Sequence, residues 1–392
     1  MGSPCWGAPA RAHAPRLKRI SRPEGTIPEN YHYTVSFAMA LCEGEVQRVG
    51  RIWADGEEID RNSIQIHLHT GAEDQLPDGL MEAVEGAGTV PAYRGTAYVV
   101  IEDLNLTPYG NRIPNLSFEV VRYIRIPGET AVPAELIEGV ALIPGTGEYA
   151  LATTAVHYDQ GIGRKESANI NTKQSASDFR VALREMIEEL PNLKSVTLVV
   201  SWFGDDLRCG SCSIRPAVEQ KDCDGKPLVW SVSGLDRQAA MLVPTLDGRP
   251  VYGGTPCDHS VVEAIRELKS RGIKVTFYPF ILMIQTEGNG LPDPYGGPEQ
   301  ACLPWRGRIT SSIPARQGRA PRSTNVHDEV KCFFGQTRQE DIVCSSGTKY
   351  VSLSGPPNDW SYRRFVLHYA ALCREAGEIC PKVGDGPHQA AV

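Results

Sequence analysis

The apolar run Ser195-Val-Thr-Leu-Val-Val-Ser-Trp-Phe-Gly204 is followed directly by Asp205-Asp206, and a second run, Val275-Thr-Phe-Tyr-Pro-Phe-Ile-Leu-Met-Ile284, leads out toward Glu287. Carboxylates at strand ends with aromatic rings beside them are the residue types of sugar chemistry. One carboxyl protonates the leaving oxygen, a second acts as nucleophile or base, and aromatic faces hold the ring. Asp205, Asp206 and Glu287 are the candidate catalytic residues on this reading, and Trp202, Tyr278, Tyr295 and Trp305 the candidate carbohydrate contacts. The competing reading is structural: Asp205-Asp206 as a turn or cap signal, and Glu287-Gly-Asn-Gly290 as a solvated loop. Nucleophilic and metal-assisted alternatives have less support, because the chain has no G-x-S-x-G elbow and no H-E-x-x-H helix. Gly86-Ala-Gly88 and Gly253-Gly254 do not make a dinucleotide fingerprint. His259 and His368 fall on predicted helices, in capping or packing roles. Cys209-Gly-Ser-Cys212 has the spacing of a redox or zinc knuckle, with Cys223 beyond it, but no matching second pair follows. The eleven cysteines read as free thiols in a reducing compartment, and neither a metal nor a cofactor is expected.

The two apolar runs read as strands buried on both faces of a parallel sheet. Between them Ser260 to Arg271 reads as a helix, with Val261, Val262, Ile265 and Leu268 on one face, Asp258 or Ser260 as cap, Glu267 four residues before Arg271, and Gly272 as stop. A further helix, Asp178 to Leu190, precedes the first strand behind a Ser175-x-x-Asp178 box. Strand, helix, strand is a crossover unit, so this half is α/β, as a barrel or an open sheet. Pro279 lacks a backbone donor, which predicts interrupted pairing and a bulge before Phe280.

Upstream the period is two. Tyr31, Tyr33, Val35, Phe37 and Met39 alternate with polar or small residues, and Val46–Ala54, Ile64–Leu68, Ala97–Ile101 and Leu116–Val121 follow as short strands. Asp55-Gly56 marks a hairpin turn and Leu80–Val84 a short helix. Residues 1–30 read as a disordered or poorly fixed arm, 31–133 as an antiparallel β-rich domain ending in a linker at 127–133, 134–377 as the α/β domain, and 378–392 as an irregular tail. Within the α/β part, 285–322 is a long polar loop, Thr324–Phe334 a short helix, Lys349–Leu353 a strand, and the last helix is capped by Asn358 or Asp359 and closed by Gly377. The 392 residues are 41% hydrophobic, ample for sizeable cores, and a net charge of -7 with no basic face beyond the first two dozen residues argues against nucleic acid. No apolar run reaches the ~18 residues of a bilayer span.

Eight stretches, in order, resemble one family: Ala54-Asp-Gly56, His69-Thr-Gly-Ala-Glu-Asp-Gln75, Glu85-Gly-Ala-Gly88, Pro91-Ala-Tyr-Arg-Gly95, Gly110-Asn-Arg-Ile-Pro114, Trp202-Phe-Gly-Asp-Asp206, Tyr252-Gly-Gly-Thr-Pro256 and Gly290-Leu-Pro-Asp-Pro-Tyr-Gly-Gly297. The family is that of the large tail-tip proteins of gene transfer agents and siphophage-like prophages, in which a phage-tail β region flanks a glycoside-hydrolase-like TIM barrel. The resemblance implies an α+β multidomain chain, with an N-terminal antiparallel β-rich phage-tail domain followed by an incomplete (β/α) TIM-barrel-like domain. It implies a virion part made in the bacterial cytoplasm, with other tail and baseplate proteins as partners and surface polysaccharide or peptidoglycan as the envelope target. Family members are much longer, and 378–392 does not read as the barrel strand on which the resemblance places a site Glu. The expectation is therefore a truncated structural component without glycosidase activity. The alternatives are a glycoside hydrolase using Asp205, Asp206 or Glu287, and a non-catalytic carbohydrate-binding module.

Overall fold

The computed structural model describes residues 16–20, 32–122, 132–143, 147–161, 163–172, 174, 176–304, 308–312, 324–345 and 351–377. It divides into two compact units, Met1–Val132 with Lys173–Ser175, and Pro133–Thr172 with Ala176–Val392. The tail at 378–392 and all but the last two residues of the expected linker at 127–133 lie outside the described residues.

The first unit holds β1 (Arg16–Ile20), β2 (His32–Glu43), β3 (Arg48–Ala54), β4 (Glu57–Glu58), β5 (Gln65–His69), α1 (Gly79–Glu85), β6 (Thr96–Asn105) and β7 (Leu116–Val121). Its pairings are antiparallel, in sheets ordered β1-β2-β6-β5 and β4-β3-β7. β1 lies in the arm read from sequence as poorly fixed. Its pairing with β2 satisfies backbone groups along an otherwise open edge, which no side-chain period announces. Val35 and Phe37 from β2, Val49 and Ile52 from β3, and Val99 and Ile101 from β6 share one core. The alternate β6 residues Tyr98 and Val100 pack with Met81 of α1. The central strand is thus buried on both faces, which is why its apolar run is continuous.

The stretch from His69 to Gln75 organises the loops at one end of this unit. The Gln75 amide accepts from Gly71 N–H at 2.6 Å and donates to Ala92 O at 2.8 Å, while His69 Nε2 meets Asp78 Oδ2 at 2.9 Å. Gly71 sits at φ +86°, and a Cβ there would stand 2.9 Å from Ala97 N and 3.0 Å from Gly44 O. Gly56, at φ +85°, would place a Cβ with nothing within 4 Å. Gly71→Ala carries the left-handed strain of ~1–2 kcal/mol together with this clash, and Gly56→Ala only the strain. Urea unfolding is expected to show Gly71→Ala as the costlier change by more than ~1 kcal/mol; equal costs would mean that the loop opens without penalty.

The second unit is mixed α/β. Its elements include α2 (Pro133–Leu136), β8 (Gly139–Leu142), β9 (His157–Asp159), β10 (Lys165–Ser167), α3 (Asp178–Glu189), β11 (Ser195–Gly204), β12 (Ile214–Arg215), α4 (Asp258–Ser270), β13 (Lys274–Met283), α5 (Thr324–Phe334), β14 (Val343–Ser345), β15 (Ser352–Ser354) and α6 (Tyr362–Glu375). β11 pairs in parallel with β8 on one side and β13 on the other, from Ser195↔Gly139 and Ser195↔Lys274 upward, and β12 joins the top of β11 antiparallel. Among the described residues no sheet closes into a barrel.

The expected parallel pair of β11 and β13 is present, but the expected break at Pro279 is not. Pairing runs unbroken through Val200↔Pro279. A parallel ladder uses alternate residues of each strand, so here the Val200 and Phe280 N–H groups carry it and the Pro279 nitrogen faces the other edge, where no ladder bond is lost.

α4 and α6 pack on each other and on β13, burying Val261, Val262, Ile265 and Leu268 of α4 with Phe365, Tyr369 and Leu372 of α6. Their caps differ from the sequence expectation. Cys257 precedes α4, and Ser361 caps α6 by accepting from Arg364 N–H. Asp258 and Asp359 are engaged elsewhere: Asp258 Oδ1 meets His368 Nε2 at 2.8 Å, and Asp359 Oδ2 accepts from Gln336 and Thr337 N–H. Asp178 likewise turns its carboxylate to Asn171 instead of closing a capping box.

Candidate functional site

The C-terminal ends of β8, β11 and β13 point to one end of the parallel sheet, where a (β/α) fold places its chemistry. Trp202 is on β11 one turn of the pleat before that end, yet it is 0% exposed. It stacks on Phe365 at 4.9 Å between centroids, and its indole N–H donates to Tyr369 Oη at 3.0 Å. The carbohydrate role expected for Trp202 is therefore corrected: a ring enclosed by α6 offers no face to a sugar. Tyr278 and Tyr295 are 40% and 51% exposed. Tyr295 donates to Arg308 O at 2.7 Å, and the Arg308 guanidinium lies 5.7 Å from its ring centre. Trp305 lies outside the described residues.

Asp205 and Asp206 turn to different loops. Asp206 is buried, and its Oδ1 accepts from Arg208 N–H at 2.7 Å and Gln300 Nε2 at 2.7 Å, while Oδ2 accepts from Arg208 Nη2 at 2.6 Å. Burial opposes its charge, but the Arg208 and Gln300 hydrogen bonds outweigh that and hold the carboxyl below its ordinary range. Asp205 is half-buried and accepts from Ser213 N–H at 2.7 Å. Desolvation, offset in part by that amide, pushes it up. Glu287 is exposed in a turn. Its loop is closed by Glu299, which accepts from Gly288 and Gly290 N–H at 2.7 and 2.9 Å. Gln300 then ties this loop to β11, accepting from Leu207 N–H and donating to Asp206. Of the carboxylates proposed from sequence, only Asp206 enters this loop clamp through Gln300; Asp205 turns to Ser213, and Glu287 stays exposed beside the loop that Glu299 closes.

The sign of the Asp206 shift fixes a pH dependence. A folded carboxyl below its ordinary value of 3.8 stabilises the fold fully above that value, and the contribution is lost progressively as pH falls below it and through the lowered folded value. Asp206→Asn is expected to cost about 1.5–3 kcal/mol at pH 7. In urea unfolding the gap between parent and variant should shrink as pH drops below 3.8; a constant gap would show that the charge is not what the clamp uses.

Sequence reading missed a deeply buried polar cluster at this end. Glu148, in the loop after β8, is 1% exposed, and Arg237 is 2% exposed. Glu148 Oε1 accepts from Arg237 Nη1 at 3.0 Å and Glu219 N–H at 2.8 Å, and Oε2 accepts from Tyr158 Oη at 3.0 Å. Arg237 also donates to Gln220 O and Tyr149 Oη, and its Nε lies 3.1 Å from Asp224 Oδ1. Burial raises the Glu219 carboxyl, with Gly254 N–H working against it and the nearby Glu148 charge adding to it. The buried ion pair and its partners therefore join three loop segments, at Glu148, Glu219 to Asp224 and Arg237, to β9. Cue for it in the sequence was slight: each member sits in an irregular segment without period.

The Cys209–Cys212 knuckle is not a reactive pair. Both thiols are buried, and desolvation pushes them up to about 11 and about 12, well above the range of a working thiolate. Among the described residues no group of three or more His, Cys, Asp or Glu is placed to hold a metal ion, and no helix is long and apolar enough to cross a membrane.

No protein-family model matches the chain, and no curated protein matches it. Among solved structures, a chain of the virion of a native gene transfer agent (GTA) particle aligns at 49% sequence identity with a TM-score of 0.22. The match covers 29% of this chain and 26% of that one. The superposition assigns no fold at that score; over the matched share, the chain is similar in sequence to a component of a gene transfer agent virion.

Proposed function

We propose that this protein is a structural component of the tail tip or baseplate of a phage-like or gene transfer agent particle. It is made in the bacterial cytoplasm, assembles with other tail proteins, and helps the particle meet the host envelope. Its second unit is the opening part of a (β/α) barrel: β8, β11 and β13 are parallel neighbours in chain order, without the reversal of order that marks doubly wound sheets. The eight stretches in family order, with His69–Gln75 and Trp202–Asp206 in fold-holding roles, support the same reading. The observation that carries the structural role over hydrolysis is the state of the carboxylates at the sheet's C-terminal end. Asp206 and Glu148 have their oxygens engaged by loop donors, so they clamp loops and are not poised for proton transfer.

A hydrolase reading, acting on cell-wall or surface polysaccharide, draws on Asp205, whose carboxyl is raised by burial beside the charged Asp206. Two tests separate these. Quantitative mass spectrometry across a density gradient of purified particles is expected to place this chain in the particle fractions; a chain found only in the soluble fractions would sink the virion reading. Incubation with peptidoglycan and capsular polysaccharide is expected to release no reducing sugar. Release by the parent that disappears in Asp205→Asn/Asp206→Asn would establish the enzyme instead.

A further inference from the structure

Asn289-Gly290 follows the turn at Glu287-Gly288, beyond the end of β13. An asparagine followed by glycine is prone to modify itself, because no Cβ hinders the glycine nitrogen. That nitrogen attacks Asn Cγ, the bond from Cγ to Nδ2 breaks, and ammonia leaves with the amide proton. Water then opens the cyclic imide to aspartate or isoaspartate. We propose that Asn289 is a latent deamidation site guarded by Glu299, and that its conversion to a carboxylate releases the clamp on Asp206.

Hydrogen bonds fix both reacting groups. Gly290 N–H donates to Glu299 Oε2 at 2.9 Å, and the other oxygen of the same carboxylate accepts from Gly288 N–H at 2.7 Å. The Asn289 side chain is held at each end: Oδ1 accepts from Leu291 N–H at 2.9 Å, and Nδ2 donates to Thr286 O and Gln300 O, both at 2.7 Å. Attack on Cγ requires the Gly290 peptide to turn from Glu299 and the Asn289 amide to rotate away from all three of its partners, so several bonds break before one forms. The two glycine amides hold the Glu299 carboxyl below its ordinary range, which makes it a weak base: it pins the Gly290 proton and does not remove it. Asn289 is half-buried and Gly290 exposed, so water reaches an imide formed there. The product has the opposite effect on the loop. A carboxylate at 289 has no donor, and against Thr286 O and Gln300 O it replaces two attractions by repulsions. Gln300 is the link to the sheet, accepting from Leu207 N–H at 2.8 Å and donating to Asp206 Oδ1 at 2.7 Å. Losing the hold on its backbone oxygen loosens the clamp where β11 ends.

The test is incubation of the full chain in mildly alkaline buffer, native and unfolded in urea, with peptide mass spectrometry following deamidation and isoaspartate at position 289. The native chain is expected to react at least ~10-fold more slowly than the unfolded one, and Glu299→Ala at least ~5-fold faster than the native parent. A cooperative melting curve for Glu299→Ala shows that the fold is kept; Glu299→Gln, which keeps one acceptor oxygen, gives the same comparison if the alanine variant does not fold. Equal rates in the native and unfolded chains, or a rate that the Glu299 substitution leaves unchanged or slows, would refute the guard. The release is read on Asn289→Asp, which carries the product's charge, by amide hydrogen exchange. Leu207 N–H, now held by Gln300, is expected to exchange at least ~5-fold faster, with Val200 N–H in the middle of β11 unchanged. Unchanged protection of Leu207, or equal loss at Leu207 and Val200, would overturn the release of the clamp.

Discussion

Trp202→Ala is expected to destabilise the second unit by about 3–5 kcal/mol, the cost of emptying a large aromatic site in a packed core. Trp202 has no exposed surface. Its ring touches Phe365 and Tyr369, and removing the indole N–H leaves buried Tyr369 Oη without the partner it now has at 3.0 Å. Collapse is restricted because α6 is also packed on α4 and β13. Tyr278→Ala, at a position 40% exposed with a ring contact to Phe280, should cost much less, about 1 kcal/mol. Urea unfolding followed by circular dichroism measures both. A stable Trp202→Ala protein that had lost affinity for oligosaccharides would return Trp202 to the role of a sugar platform.

The second large effect is expected at the buried ion pair. Glu148→Leu leaves the Arg237 guanidinium, 2% exposed, without its main counter-charge, and removing one partner of a buried pair costs about 3–5 kcal/mol. Burial disfavours the Arg237 charge, and Glu148, with Asp224 beside it, more than restores it, so the pKa lies above the ordinary value. The double variant Glu148→Leu/Arg237→Met should recover most of the loss, because apolar replacement of both partners removes the desolvation cost as well as the attraction. At ~2–4 °C per kcal/mol for a unit of this size, the single variant should melt roughly 6–20 °C lower. Equal losses in the single and double variants would mean that shape, and not the pairing of charge, is what this cluster contributes.

The regular elements were legible where one period was sustained. The runs from Ser195 and Val275 became a parallel pair in the expected order, and the stripe Val261, Val262, Ile265, Leu268 became the buried face of α4. The error over Trp202 was also avoidable from sequence: a run apolar at every position is buried on both faces, so a Trp inside it belongs to the core. What local patterning does not carry is the choice among chemically equivalent groups. Asn358, Asp359 and Ser361 are all good caps, and Ser361 takes the role because Asp359 holds Gln336 and Thr337. The partners that decide Asp206 and Glu148 are set by loop closure across long separations: Gln300 is 94 residues from Asp206, and Arg237 is 89 residues from Glu148. Neither loop has a period to read.

A carboxylate can be a catalyst or a clamp with the same neighbours in sequence, and the hydrogen-bond donors around it decide. At this sheet's end Asp206 accepts from Arg208 and Gln300, and Glu148 from Arg237, Glu219 N–H and Tyr158. Immunogold electron microscopy of purified particles, with antibody raised against this chain, tests the proposed tail-tip role most directly. The account predicts gold at the tail end away from the head; particles without label, beside a positive reaction in the soluble lysate, would contradict it.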